Sequence, residues 1–228
     1  SQGFGSRPEC RALIHSGRVR IEGQLCEDPY ADYAPEGLIF SVDEQIWNYR
    51  KLAYLLLNKP ANYECSHKPR HHPSIYTLLP PPLLTRGVQA VGRLDEDTTG
   101  LLLFSDDGQF IHTYTSPKKK VTKVYDVTLK HPGNQLLVAA LLAGVQLNDE
   151  PAPIAASACE ILAERLLRLT TTEGKYHLVK RMIAAAGNRA EGLNRVAIGG
   201  LSLPPELPLG QWIWLEEADL QKLAGRTP

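Results

Sequence analysis

The pattern of apolar and polar positions in residues 1–46 predicts a small separate α+β unit that begins with a short helix. Ser6 is a good N-cap residue for a helix over Pro8–His15, and Gly17 is placed to end it.

Residues 18–26 predict a hairpin-like pair of strands. Residues 18–22 alternate aliphatic and basic side chains, Gly23 interrupts the run, and Gln24–Cys26 follow. Alternation sends the aliphatic side chains inward and the basic ones outward. With two arginines of the helix, the positive charge of the unit then gathers on one edge, carried by Arg7, Arg11, Arg18 and Arg20.

Beyond a linker predicted at residues 47–52, residues 53–228 alternate short apolar strands with fewer helices. This balance favours an α+β domain with a mixed, mostly antiparallel sheet over a doubly wound one. The run Leu79–Pro82 is predicted to be a surface loop. Strands are expected at Ala53–Leu57, Leu101–Ser105, Val124–Leu129, Ala158–Ile161 and Leu166–Thr171, and helices at Gln135–Ala143 and Tyr176–Ala186.

The composition is that of an ordinary soluble globular protein, with 43% hydrophobic and 22% charged residues. No apolar run approaches the roughly 20 residues of a membrane span, and no cleavable signal is visible. The four cysteines are widely spaced without a CxxC pair, which argues against zinc and disulfides and favours the reducing cytoplasm. We therefore expect a cytoplasmic protein with no membrane partner.

The net charge is zero, but its distribution is uneven. Over 118–130 five lysines accompany one acidic residue, and over 175–195 five basic residues accompany one glutamate. Two such clusters suggest a polyanion bound at one place, although solvated surface charge explains either cluster alone.

The densest chemical signal is the stretch Gly92–Phe104, in which a polar loop with three carboxylates runs into an apolar strand. Loops held on strands are frequent positions of catalytic groups. By itself the loop fits a carboxylate-pair glycosidase, a magnesium site or a turn with a solvated acidic tip.

Two further elements are ambiguous when read alone. Tyr125 shares a strand face with Val127 and Leu129, which is usual for a core residue. Lys180 lies beside the apolar stripe of the last predicted helix, from where a lysine head can reach inward or extend along the surface.

The histidines of His67-Lys68-Pro69-Arg70-His71-His72 raise the hypothesis of a metal site. The prolines and the absence of a carboxylate at helical spacing favour a loop that faces RNA instead, and we predict no metal.

In combination, these elements resemble the pseudouridine synthases of the RsuA family. Its patterns are GRLD with a following Thr-x-Gly-Leu, then Lys-x-Tyr, then Glu-Gly-[Lys/Arg]-x-His-x-Val-Lys-Arg-Met, and the chain matches them at 92–101, 123–125 and 173–182. Asn58-Lys59-Pro60 and Ile198-Gly199-Gly200 match further landmarks, and Leu178 replaces the usual Gln or Glu. The start, SRPECRALIHSGRVRIEG, resembles the S4-type RNA-binding fold with most of its first helix absent.

This resemblance implies a cofactor-free isomerisation, because pseudouridine formation adds no atoms and changes no oxidation state. Asp95 is implied as the nucleophile, attacking the sugar or C6 of the base, and Lys180 as its counter-charge. Tyr125 is implied to stack on uracil and to help remove the C5 proton, and Arg93 to brace the stack after base flipping.

The implied partner is ribosomal RNA or a small-subunit precursor particle, bound by a monomer. Phosphate or base contacts are expected from the arginines of the first unit and from a second set: Arg93, Lys118, Lys119, Lys120, Lys123, Lys175, His177 and Arg181. Tyr176 and His177 resemble the small-subunit branch, since large-subunit relatives carry Asn and Arg there.

The alternatives are a large-subunit enzyme, a non-catalytic ribosome-assembly factor, and a glycosidase. The intact Asp95, Tyr125 and Lys180 argue against the second, and the lack of another acid argues against the third. For the first unit, the alternative is a vestigial packing domain.

Overall fold

A computed structural model describes residues 1–225 of the chain and divides them into two compact units. The first unit comprises Ser1–Ala53 together with Leu79–Val88, and the second comprises Tyr54–Leu78 and the chain from Gln89 onward. The first unit is therefore discontinuous in sequence.

The first unit is a four-stranded antiparallel sheet with two helices. Helix α1 begins at Arg7, one residue before the predicted Pro8, and its N-cap residue Ser6 forms a reciprocal capping box with Glu9. A small core of Val19, Cys26 and Val42 lies between helix and sheet. The elements are α1 (Arg7–His15), β1 (Val19–Ile21), β2 (Gln24–Leu25), β3 (Ile39–Val42), β4 (Gln45–Asn48) and α2 (Pro81–Thr85).

Two expectations for this unit need correction. The predicted linker begins too early, because Trp47 lies in β4 and packs edge-on against Phe4, with ring centroids 5.3 Å apart. The proline-rich stretch is not a plain loop, because Pro81 occupies the first turn of α2, where a missing N–H costs nothing. Leu79 and Leu83 are buried there.

The second unit is built on a nine-stranded sheet within the described residues, in the order β13-β5-β7-β11-β8-β10-β9 with β6 beside β7 and β12 beside β11. The β7–β11 pair is parallel and the other strand pairs are antiparallel, which confirms the mixed, mostly antiparallel prediction. The strands are β5 (Tyr54–Lys59), β6 (Gln89–Ala90), β7 (Thr99–Ser105), β8 (Lys123–Leu129), β9 (Ala158–Ala163), β10 (Leu166–Thr171), β11 (Ala190–Ile198), β12 (Leu201–Ser202) and β13 (Trp212–Trp214).

The core lies around β5 and β7. Leu55–Leu57 and Leu101–Phe104 are fully buried, so both faces of these two strands are covered. Continuous apolar runs are what a strand buried on both faces requires, and they explain why both strands were predictable. Over residues 54–225, outside the first unit, four α-helices accompany the sheet: α3 (Gly108–Thr115), α4 (Gln135–Ala143), α5 (Leu178–Ala185) and α6 (Glu217–Leu223). Among the described residues, none of the helices is long and apolar enough to cross a membrane.

Candidate active site

The loop that carries Asp95 leads directly into β7. The N–H of Thr98 donates to the carbonyl of Asp95 at 3.1 Å, which closes a turn. Gly100 then allows β11 to approach, because a Cβ at this position would lie 2.3 Å from the carbonyl oxygen of Arg195. The glycine thus permits the close parallel pairing of β7 with β11 at the point where the loop enters the strand.

Lys59 anchors the same loop from inside, and sequence reasoning gave it no role. Its side chain is fully buried, and its ammonium donates to the carbonyls of Pro60, Glu96 and Thr98 at 3.0, 3.2 and 2.9 Å. Burial lowers the pKa of Lys59, while the nearby carboxylates oppose that shift. A lysine ending the apolar run of β5 was the signal available in the sequence.

Lys180 joins two carboxylates rather than one. Its ammonium lies 3.5 Å from Oδ2 of Asp95, and 2.6 and 2.9 Å from the two oxygens of Asp97. Burial would raise the pKa of Asp97, but the hydrogen bonds and charge of Lys180 outweigh it and hold that pKa below its ordinary value. Asp97 is thus the tighter partner of Lys180, the predicted counter-charge of Asp95.

His177 approaches Asp95 from the other side. Its Nε2 lies 3.3 Å from Oδ1 of Asp95, and its ring stacks on Tyr176 with centroids 3.7 Å apart. The residue caps α5 in a left-handed conformation with φ of 49°, which a non-glycine residue adopts only when its surroundings hold it there. This backbone explains why α5 begins at Leu178 rather than at the predicted Tyr176. Leu178 itself is buried.

Tyr125 lies on β8, two strands away from the Asp95 loop. The register aligns Tyr125 with Arg195 on β11, and Arg195 with Gly100 on β7. Neighbouring strands are about 4.8 Å apart, so Tyr125 is about 10 Å from Gly100 across the sheet. Tyr125 is buried, as the core interpretation also required.

Arg195 was counted with the surface cations and is instead buried between those strands. Its Nε donates to the carbonyl of Leu101 at 2.8 Å. Its Nη2 is a buried donor with no hydrogen-bond partner in the part of the chain that the structure describes. Arg195 therefore belongs to the interior beside Tyr125.

The two basic clusters differ in their ion pairs. Lys118, Lys119 and Lys120 are exposed around a short 3-10 turn, and no side-chain ion pair involves them among residues 1–225. Lys175 by contrast binds Glu150 at 2.6 Å and Glu173 at 3.1 Å, and Arg181 pairs with Asp149.

Lys123 does not join the exposed lysines. It is half-buried and donates to the carbonyl of Val121 at 2.9 Å, and burial together with the charge of Arg195 lowers its pKa. Arg93, in contrast, is exposed. To make the predicted RNA contact, Lys123 would therefore have to give up its hydrogen bond to the backbone.

Arg7, Arg11, Arg18 and Arg20 are exposed, as alternation along the strand predicted for Arg18 and Arg20. Arg18 forms a two-pronged ion pair with Asp43, both bonds being 2.5 Å, and Arg11 lies over the ring of Tyr30 at 4.9 Å. Arg7 and Arg20 have no acidic partner among the described residues.

The backbone of the histidine loop is held by a carboxylate. Glu64 accepts the backbone N–H groups of Arg70, His71 and His72, which lower its pKa to about 2. His67 stacks on Tyr76. No group of three metal-binding side chains comes together in the part of the chain described.

The geometry can support nucleophilic chemistry by one carboxylate. Asp95 sits on an anchored loop, partly exposed, with a cation on one side and an imidazole on the other. The family model of RNA pseudouridylate synthase matches residues 53–185, which include this loop, β8 and the whole of α5. The chain belongs to the RNA pseudouridylate synthase family.

Curated relatives and a solved structure agree with this membership. The chain is 37% identical over 218 residues to the ribosomal small subunit pseudouridine synthase A of Haemophilus influenzae, covering 96% of this chain and 94% of that protein. It is 36% identical over 207 residues to the Escherichia coli K12 protein of the same name, covering 91% and 89%. A crystal structure of a pseudouridylate synthase matches with a TM-score of 0.72 at 34% identity, covering 97% and 95%. This pseudouridylate synthase fold is therefore shared along almost the whole chain.

Proposed function

We propose that this pseudouridylate synthase converts one uridine of small-subunit ribosomal RNA to pseudouridine, with Asp95 as the nucleophile. The observation that carries the proposal is the placement of Asp95, which stands on a loop anchored by Lys59 and between Lys180 and His177. The small-subunit substrate is supported by the names of relatives that match at 36–37% identity over nearly the full chain. Tyr176 and His177 also resemble that branch.

The reaction needs no group beyond those of the chain. Asp95 attacks either C1′ of the ribose or C6 of the base, and the bond between C1′ and N1 breaks. The uracil turns, C5 bonds to C1′, and the carboxylate is released. The C5 proton then leaves while N1 gains a proton, so atoms and electrons balance without an oxidant. Tyr125 stacks on the uracil and assists the C5 proton transfer.

Access to the uridine requires that it leave its stack. An enzyme acting on a base inside a helix must flip the nucleotide out, and the exposed Arg93 near Asp95 in the loop braces the gap. Lys118, Lys119 and Lys120 supply phosphate contacts, which position RNA without reading its sequence. In the S4-type unit, Arg7, Arg11 and Arg20 supply further phosphate contacts. Such a substrate implies action in the cytoplasm.

The test is tritium release from C5-tritiated RNA, because formation of pseudouridine exchanges the C5 hydrogen with solvent. Small- and large-subunit ribosomal RNA are each offered naked and as partially assembled particles. We expect release from the small-subunit RNA, limited to one uridine. Release only from large-subunit RNA would refute the proposed small-subunit substrate but would still agree with a pseudouridine synthase activity. No release from any substrate would refute the proposed function.

A further inference from the structure

At the edge of the site beside Asp95, the exposed group is an aromatic ring, whereas the basic side chains are paired with carboxylates. The basic side chains that α5 and its preceding loop place here are occupied: Lys175 by Glu150 and Glu173, Lys180 by Asp97 and Asp95, and Arg181 by Asp149. A phosphate would have to displace a carboxylate from each of them. This edge is thus poorly suited to bind RNA through its backbone.

Tyr176 is the exception at this edge, because 76% of it is exposed. One face of its ring is covered by His177, at 3.7 Å between centroids and 18° between planes, and the exposure leaves the opposite face to solvent. His177 in turn lies 3.3 Å from Asp95. A ring stacked on Tyr176 would therefore be two aromatic layers from the nucleophile.

The backbone holds this ring in place. The carbonyl of Tyr176 accepts a hydrogen bond from Nη1 of Arg181 at 3.2 Å, and the left-handed conformation of His177 turns the chain sharply into α5. The Tyr176 ring thus projects from a constrained turn, and splayed RNA bases commonly stack on exposed aromatic rings.

We infer that Tyr176 stacks a nucleobase that neighbours the target uridine and so helps to select the site of modification. The inference rests on the proposed function and adds a specificity-determining residue to it. Stacking on a ring is tolerant of salt, whereas phosphate contacts are not. The contribution of Tyr176 is therefore distinguishable from that of the exposed lysines.

The experiment compares Tyr176→Phe, which keeps the ring, with Tyr176→Leu and Tyr176→Gln, which remove it. Each is assayed for tritium release and for binding to naked small-subunit RNA at several salt concentrations. We expect the ringless variants to lose about 5- to 150-fold in kcat/KM, with kcat at saturation within about threefold and an unchanged salt slope. Tyr176→Phe should stay within about threefold of wild type. Leu136→Ala is the control, because Leu136 is also an exposed apolar side chain, at 81%, and lies on α4.

Three results would overturn the inference. Wild-type kcat/KM in both ringless variants would show that no base stacks there. A loss confined to kcat would show that the ring acts through His177, and an equal loss in Tyr176→Phe would show that the hydroxyl matters instead. If the wild-type protein itself releases no tritium, the proposed function fails and this inference fails with it.

Discussion

The two basic clusters of this enzyme looked alike in the sequence and differ in the structure. Lys118, Lys119 and Lys120 protrude around a short turn without acidic partners among the described residues. The cations of 175–181 face Asp149, Glu150 and Asp97, which come from distant parts of the chain. Counting charges over a short stretch of sequence therefore identifies a cluster of lysines, but it does not identify the carboxylates that folding brings next to them.

The difference suggests a division of labour. Paired cations near Asp95 fix side chains for chemistry, whereas unpaired lysines are available to attract a polyanion. The predictions below separate these roles by measuring turnover and the salt dependence of binding for the same variants.

The largest effect is expected for Asp95→Asn. The amide keeps the shape of the side chain and removes the nucleophile, so turnover should fall by more than about 100-fold. Binding to small-subunit RNA should stay within several-fold of normal. Single-turnover tritium release and filter binding measure the two quantities, and residual turnover above a hundredth of wild type would contradict the role of Asp95.

Tyr125→Phe is expected to slow the reaction by about 10²–10⁴-fold, because the ring is kept and proton-transfer help is lost. Tyr125 is buried on the strand that follows the exposed lysines, yet the change should leave the salt slope of binding unaltered. The measurement is the single-turnover rate. An unchanged rate would remove the hydroxyl from the mechanism and leave Tyr125 as a stacking or core residue.

Replacement of Lys118, Lys119 and Lys120 by alanine should weaken RNA binding and reduce the slope of log affinity against log salt by about 2–3 units. Three released phosphate contacts account for that change. The rate with saturating RNA should remain near normal, because these side chains lie outside the Asp95 cluster. A normal slope would mean that the cluster is only solvated surface.

In the first unit, replacement of Arg7, Arg11, Arg18 and Arg20 should reduce the slope of log affinity against log salt by about 2 units. The full effect of four contacts is not expected, because Arg18 already pairs with Asp43. Arg18→Ala alone should change the slope least of the four. Salt titration of binding measures each variant, and an unaltered slope in the fourfold variant would favour a vestigial domain.

The smallest effect on the slope is expected for the double variant Lys175→Ala with Arg181→Ala. Both side chains are held by carboxylates, so their loss should change the slope by less than about one unit. This variant is the matched partner of the triple lysine variant. A slope change as large as that of the triple variant would show that RNA displaces the carboxylates. The proposed difference between the paired and the unpaired basic clusters would then be wrong.

Much of the fold was predictable because the local pattern of apolar residues in the sequence matches the residues that are buried in the structure. Helix α4 and strand β10 have the predicted bounds. Strand β7 begins two residues earlier than predicted, and β5 begins one residue later and ends two residues later than predicted. Strand β11 was missed although it lies in the middle of the sheet. Its pairing with β8 is irregular at two places, so the side chains do not alternate regularly and the sequence shows no period of two.

The candidate site was predictable in its types of residue and less so in its pairings. The motifs identified Asp95, Tyr125 and Lys180, and the structure brings Lys180 and His177 to Asp95. The anchoring by Lys59 depends on backbone carbonyls from a loop 37 residues away, and no local pattern encodes such a contact. The pairing of Lys180 with Asp97 likewise depends on tertiary structure.

The central claim is tested most directly by mapping pseudouridines in ribosomal RNA from cells that lack this protein. The cells are complemented with wild type, with Asp95→Asn, or with neither. We predict that one small-subunit uridine is unmodified without the protein, modified with wild type, and unmodified with Asp95→Asn. An unchanged map without the protein, or modification restored by Asp95→Asn, would contradict the account.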